Sequence, residues 1–332
     1  MIILRIRIGN VSPEIGTRAH GELMVGRLHN GTPVSIPFTI VSGAEDGPAL
    51  HVMSGLSANG ASAIEAARRI AANTDPKTLK GTLIVTPIVN MPAFLTRSKN
   101  NILENYTNQV DLHTSFPGSP DGPLTHRIAH IITTEVICKA EYAIDLHNSD
   151  AGGRYEPFTV VYKIPEPLRT KALQLARAFG LRHIREPKTE VPGRPANAAA
   201  SKGVALIMVE CGESNNQLLE CDIETQVRGV RNCMKHLAMI EGQPEIPKEQ
   251  IVSSEVVTLR TNLGGFLSLK RNLGEHISKG QVFAEVTDVF CDLTETIMSP
   301  VDGYVERLST SMTVGCGDKV GHIVTVERTL MR

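Results

Sequence analysis

Tryptophan is absent from the 332 residues and aromatic residues make up only 4%, which leaves little with which to build a sugar- or base-stacking surface. Charge of one sign is lacking too. The 34 Lys and Arg nearly balance the 35 Asp and Glu, so there is neither a nucleic-acid footprint nor an acidic tail. No long uncharged apolar run is present, and no membrane span is expected. The six cysteines (138, 211, 221, 233, 291 and 316) include no CxxC pair, which argues against a disulfide frame or a cysteine-zinc site and for reduced thiols. The start, Met1 to Ile8, alternates like a strand and lacks a signal-peptide pattern, so a cytoplasmic location is expected. What is present is enough for a packed core: 41% hydrophobic residues in a chain long enough for one large domain and a smaller one.

The chain is organised around Leu50–Gly60 and the segment after it. An apolar run ends in glycine, and Ile64, Ala67, Ile70 and Ala71 then recur at helical spacing, which reads as strand, tight loop and helix. Residues 1–46 read as short strands with a hairpin signal at Asn30-Gly31. Further strands are expected at Thr82–Val89, Tyr142–His147, Phe158–Ile164 and Val204–Glu210. Helices are expected from Thr125, from Leu168 to Phe179, and from about Gln217 to Ile240. The alternation predicts an α/β fold, a mostly parallel mixed sheet flanked by helices, over residues 1–242. Residues 243–250 form a Pro-rich linker, and the Gly-punctuated short strands beyond, to 332, predict a small C-terminal β barrel.

In such a sheet Ser57–Gly60, His147 and Glu210 sit at strand ends where ligands bind. An imidazole after Ile144-Asp145-Leu146 suits a metal ligand or an acid-base group, or simply a loop hydrogen bond. Asp145, two residues earlier on the same face, would orient it or bond loop backbone. Glu210 ends an apolar strand, where a carboxylate is expensive to bury unless paired or used. His51 is about 20 Å back along the strand from Ser57, at ~3.3 Å per residue, and reads as a packed strand residue. His126 and His130 share a helix face, but nothing else completes a site there.

The order of these pieces resembles the aspartoacylase and succinylglutamate desuccinylase family. It is carried by Gly43–Pro48, the strand-loop-helix after it, Asn90-Met91-Pro92, Asp111-Leu112 with Phe116-Pro117-Gly118, Asp145-Leu146-His147, Glu210 with Gly212, and the C-terminal Gly-Gly and Pro-x-x-Gly turns. The resemblance implies a zinc carboxypeptidase-like domain and hydrolysis of an N-acyl amide on a small, polar, amino-acid-like ligand. It implies zinc as cofactor, held with an open position by a His and a Glu on the first loop and by a later His. It implies a Glu that handles the water proton. His147 matches the third ligand and Glu210 the general base. Ser57 and Gly60, however, stand where the first His and the Glu ligand belong, and His113-Thr114 replaces an Asn-Arg pair that grips the substrate carboxylate. Activity is therefore expected to be altered or absent. One alternative is a rebuilt metal site from His113, His147 and Glu210, and another is a small-molecule-binding or scaffolding protein. Arg97, Asp111, His113 and Asn148 are the expected substrate contacts. The C-terminal segment resembles a biotinyl or lipoyl hairpin, yet Thr294–Pro300 holds no attachment lysine, so a shape-giving or homo-oligomer-forming module is the expected role.

Overall fold

Runs of Val, Ile and Leu in this chain are too short for spanning helices and too apolar to face water, so they pair. The computed structural model describes residues 6–104, 110–149, 152–213 and 218–332. In chain order its first elements are β1 (Thr17–Arg27), β2 (Pro33–Ser42), β3 (Glu45–Ser54), α1 (Ala61–Asn73), β4 (Lys80–Thr86) and α2 (Met91–Leu95). Then come α3 (Leu124–Ile131), β5 (Tyr142–His147), β6 (Gly153–Val160), α4 (Leu168–Phe179), β7 (His183–Arg185), α5 (Pro195–Ser201), β8 (Ala205–Glu213), α6 (Glu220–His236) and β9 (Glu249–Ser253). Most of the expected strand at Met1–Ile8, part of the loop after His147 and the expected helix start at Gln217 lie outside the described residues.

The large sheet runs β1-β2-β4-β3-β5-β8-β6 and continues into strands 303–309, 319–324 and 256–260. Its middle, β4-β3-β5-β8, is parallel. Parallel pairing is not the rule beyond it: β1, β2 and β6 join antiparallel, so the sheet is mixed, with a parallel centre, rather than mostly parallel. β5 is buried along nearly its whole length, as a central parallel strand covered on both faces must be. One packed helix group is α1-α6-α4, and α3 and α5 cluster with the turns at 132–136. The first hairpin turn is longer than its Asn-Gly signal suggests, with Leu28 donating to Thr32 across it.

The C-terminal strands enclose their own core of Ile277, Phe283, Val305, Val320 and Ile323. A four-stranded sheet, 293–298, 282–287, 265–269 and 313–314, faces the extension of the large sheet, and among the described residues no ladder closes the two into one barrel. The segment is not a separate bead. Strand 303–309 pairs with β6, and β9 pairs with both β7 and residues 328–331. Among the described residues no helix is long and apolar enough to cross a membrane.

His51 is fully buried on β3 and shares a 2.8 Å hydrogen bond with Thr86 Oγ1, as a packed strand residue should. Burial lowers its pKa to about 3, and burial likewise takes His183 to about 4 against the pull of Glu306. Both folded values lie below the ~6.5 of an exposed imidazole, so the unfolded chain binds more protons as pH falls. Their contribution to stability is complete above about pH 6.5 and shrinks toward the folded values. His147, shifted upward, opposes this trend alone against His51, His113, His183, His236 and His322. A urea midpoint lower at about pH 5 than at about pH 7.5 is expected, and equal midpoints would contradict this account.

Candidate active site

The loop after β3 is held before it carries any chemistry. Gly55 takes φ 70°, which favours glycine, and a Cβ there would crowd Ile88 and Pro87 at 3.1 Å. Asn90 straps the loop from the neighbouring strand end: its Nδ2 donates to Leu56 O at 3.2 Å and its N–H to Gly55 O at 3.0 Å. The turn closes with Gly60 N–H donating to Ser57 O at 3.3 Å, and α1 begins at once. Ser57 therefore sits half-buried just ahead of the amino end of a 13-residue helix.

On the strand next to β3, His147 of β5 is register partner to Glu210 on β8. A third approach comes from the segment before Phe116. Asp111 Oδ1 accepts from His113 N–H at 2.9 Å, opening a single turn over Leu112–Thr114 that aims the imidazole inward. Ser57, His113, His147 and Glu210 line one cavity of about 300 Å³. Ser57 Oγ and His113 Nε2 share a 3.1 Å hydrogen bond. The His113 and His147 ring centroids are 4.4 Å apart, and His147 Nε2 lies 2.8 Å from Asp145 Oδ1.

Charge divides the two imidazoles. Burial, and then the positive charge of His147, Arg194 and Lys99, hold the His113 pKa well below the ordinary value. Burial also pulls on His147, but Asp145, with Glu210 behind it, outweighs this and raises it. The site thus pairs a neutral acceptor at His113 with a neighbour that tends to be cationic. Burial pushes the cavity-lining Tyr162 hydroxyl up to about 12, and it donates to Met208 Sδ at 3.4 Å.

The expected contacts divide. Asp111 and His113 line the cavity. Asn148 lines it as well, but its amide is already used: Oδ1 accepts from Ala63 N–H at 2.9 Å and Nδ2 donates to Cys211 O at 2.8 Å. Arg97 is exposed and is not among the cavity's lining residues. The cations there are Lys99, Arg185 and Arg194, which sequence reasoning did not single out. Lys99 sits 3.5 Å from Asp111, and Arg185 is held by Glu306. Arg194 presents a buried Nε without a hydrogen-bond partner among the described residues. Its one sequence signal is its place in Pro192-Gly193-Arg194-Pro195, a turn against which Phe116 N–H donates to Gly193 O at 3.0 Å.

The donor set does not suit zinc. On the first loop Ser57 and Gly60 offer a hydroxyl and no side chain, where the resemblance leads one to expect an imidazole and a carboxylate. The space beside Gly60 is taken, since a Cβ there would meet Asn148 Oδ1 at 3.0 Å. His113 Nε2 faces Ser57 and His147 Nε2 faces Asp145, and among the described residues no three His, Cys, Asp or Glu side chains are arranged to hold a metal ion.

The family model described as the succinylglutamate desuccinylase/aspartoacylase catalytic domain matches residues 46–237. N-alpha-acetyl-L-2,4-diaminobutyric acid deacetylase of Halomonas elongata is 25% identical over 309 residues, covering 90% of this chain and 87% of its own. A succinylglutamate desuccinylase/aspartoacylase from Rhodobacter sphaeroides superposes with a TM-score of 0.81 at 22% identity, covering 93% and 96% of the two chains. The product-bound ectoine utilization protein of Ruegeria pomeroyi does so at 0.81 and 20%, covering 93% and 95%. At these identities the two structures establish a shared fold.

Proposed function

Because the chain belongs to the succinylglutamate desuccinylase/aspartoacylase family, we propose that it is a hydrolytic deacylase that removes an acyl group from a small N-acylated amino acid, at a centre rebuilt without the family's first-loop zinc ligands. The observation that carries this reading is the convergence of Ser57, His113, His147 and Glu210 on one small polar cavity. That volume is enough for a small N-acylated amino acid. Arg194 is suited to the substrate carboxylate, because a guanidinium fork matches that anion and its Nε has no hydrogen-bond partner among the described residues. Lys99 adds a second positive charge to the cavity lining, beside Asp111. Glu210 is the carboxylate that can orient water at the scissile carbonyl. The same cavity with Glu210 and His147 but no turnover would be a binding site for the same class of ligand. The C-terminal strands are read as a shape-giving module and the protein as acting in the cytoplasm.

The test is a panel of N-acetyl and N-succinyl α-amino and diamino acids, followed by release of free amine. Hydrolysis of at least one is expected. In Arg194→Ala its KM should rise on the order of 30-fold, the equivalent of ~2 kcal/mol for a hydrogen bond to a charged group. Binding of the whole panel by calorimetry without amine release would leave the binding reading in its place, and neither binding nor release would reject both.

A further inference from the structure

We propose that Ser57 is the nucleophile of a serine-type acyl transfer, with His113 as its base, so that the residue in the lost ligand position performs the chemistry itself. This rests on the deacylase reading above and goes beyond it by naming a covalent route.

Ser57 Oγ and His113 Nε2 are 3.1 Å apart, within the reach that an activated hydroxyl requires, and both face the cavity. In the tautomer that carries its hydrogen on Nδ1, His113 accepts from the hydroxyl. Asp111 fixes the backbone of His113 by the 2.9 Å bond from its N–H, and the ring itself is held on Ser57. The serine is fixed too, by the Asn90 strap behind it and the Gly60 turn ahead of it. Ser57 lies just ahead of the amino end of α1, a place where the helix dipole favours negative charge. A hydroxyl that merely filled the space of a lost ligand would need neither an aimed imidazole nor an opening to the cavity. The wider geometry repeats triad logic only in part, since His147 lies beside His113 and meets Asp145, and no carboxylate is placed on His113 itself by the contacts described above.

The steps balance without a metal or redox partner. Ser57 Oγ bonds to the acyl carbon as its proton passes to His113 Nε2. The C–N bond breaks and that proton goes to the departing amine nitrogen, leaving an ester on Ser57. Water, oriented by Glu210, adds to the ester carbon and gives a proton to His113 Nε2. The C–Oγ bond breaks, the proton returns to Ser57 Oγ, and a carboxylic acid leaves. Amide and water are consumed, and amine and acid are formed.

The probe is p-nitrophenyl acetate, with the full chain as purified. A burst of p-nitrophenolate of about one equivalent is expected, with one acetyl group mapped by mass spectrometry to the peptide that holds Ser57. Ser57→Ala should abolish both, and His113→Gln should slow acylation on the order of 100-fold or more. Ser57→Cys, with a nucleophile restored, should regain acetylation at that position, which separates lost chemistry from lost folding. Acetylation elsewhere, or a burst unchanged in Ser57→Ala, would overturn the proposal. The amide panel keeps the two readings apart. Amide turnover that survives Ser57→Ala leaves the deacylase and removes the nucleophile. Acetylation of Ser57 with no amide turnover in the parent leaves the nucleophile and removes the deacylase.

Discussion

Replacing Glu306 by alanine is expected to destabilise the protein by about 3–5 kcal/mol, the usual effect of removing one partner from a buried ion pair. The carboxylate is only 1% exposed, in strand 303–309 of the C-terminal segment. It receives Arg185 at 3.1 Å through Nε and by a second, shorter contact. His183 Nδ1 lies 3.3 Å away and His322 Nδ1 3.8 Å. Burial alone would raise its pKa, but Arg185, His322 and His183 overcome that and hold it below the ordinary value. Removing it leaves the Arg185 guanidinium without its buried counter-charge. The effect reaches the cavity, because Arg185 lines it and is stacked 4.2 Å over Phe158 in a position that Glu306 sets. Thermal and urea denaturation measure the loss, and Glu306→Gln separates charge from shape. The ionised Glu306 carboxylate is stabilised in the folded state, so this contribution is present above about pH 4.3 and is lost as pH falls through the folded value. A change below about 0.5 kcal/mol in both variants would show that the network is not what joins the C-terminal strands to β7.

The contrast with the sequence lies in what is local and what is not. The strand-loop-helix at Leu50–Asn73 was legible because its two periods, apolar run and helical spacing, follow one another within about two dozen residues. Parallel β3, β5 and β8 then had to bring Ser57, His147 and Glu210 to the same edge. The helix at Leu168–Phe179 was legible to the residue, closed by Gly180 at φ 86°. Direction of pairing was not legible: β6 reads like its neighbours yet runs antiparallel to β8, because a side-chain period of two is the same in either direction. Nor was the return of residues 328–331 to pair with β9, an edge contact encoded in neither segment alone. The short helix Pro195–Ser201, sequence PANAAAS, was missed because small residues carry almost no amphipathic pattern. In the site, Arg194 and the use of Asn148 as a brace between Ala63 and Cys211 depend on loops meeting across the fold, which spacing cannot report. His113 was singled out as a possible substitute ligand, and its contact with Ser57 was not foreseen from spacing.

Changing Ser57 to His and Gly60 to Glu together should turn a poor zinc site into one that carries close to one equivalent, against less than about a tenth in the parent chain. The argument starts from the strand ends. His147 and Glu210 already line the cavity, and the two substitutions restore an imidazole and a carboxylate three residues apart on the loop that faces them. Each single change should do little, since three protein ligands act as a set and the coupling between neighbouring sites is large. The Glu has a local obstacle. Its Cβ would lie 3.0 Å from Asn148 Oδ1, so that amide must give by a few tenths of an ångström while it still caps Ala63. The His has another, because it removes the hydroxyl that His113 now holds. Metal analysis of protein purified without chelators gives the stoichiometry. A zinc-dependent rise in melting temperature gives an independent readout, worth about 2.7 kcal/mol at a hundredfold excess of zinc over its Kd. No uptake in the double variant, with folding intact, would mean that the first loop and His147 are too far apart to share an ion.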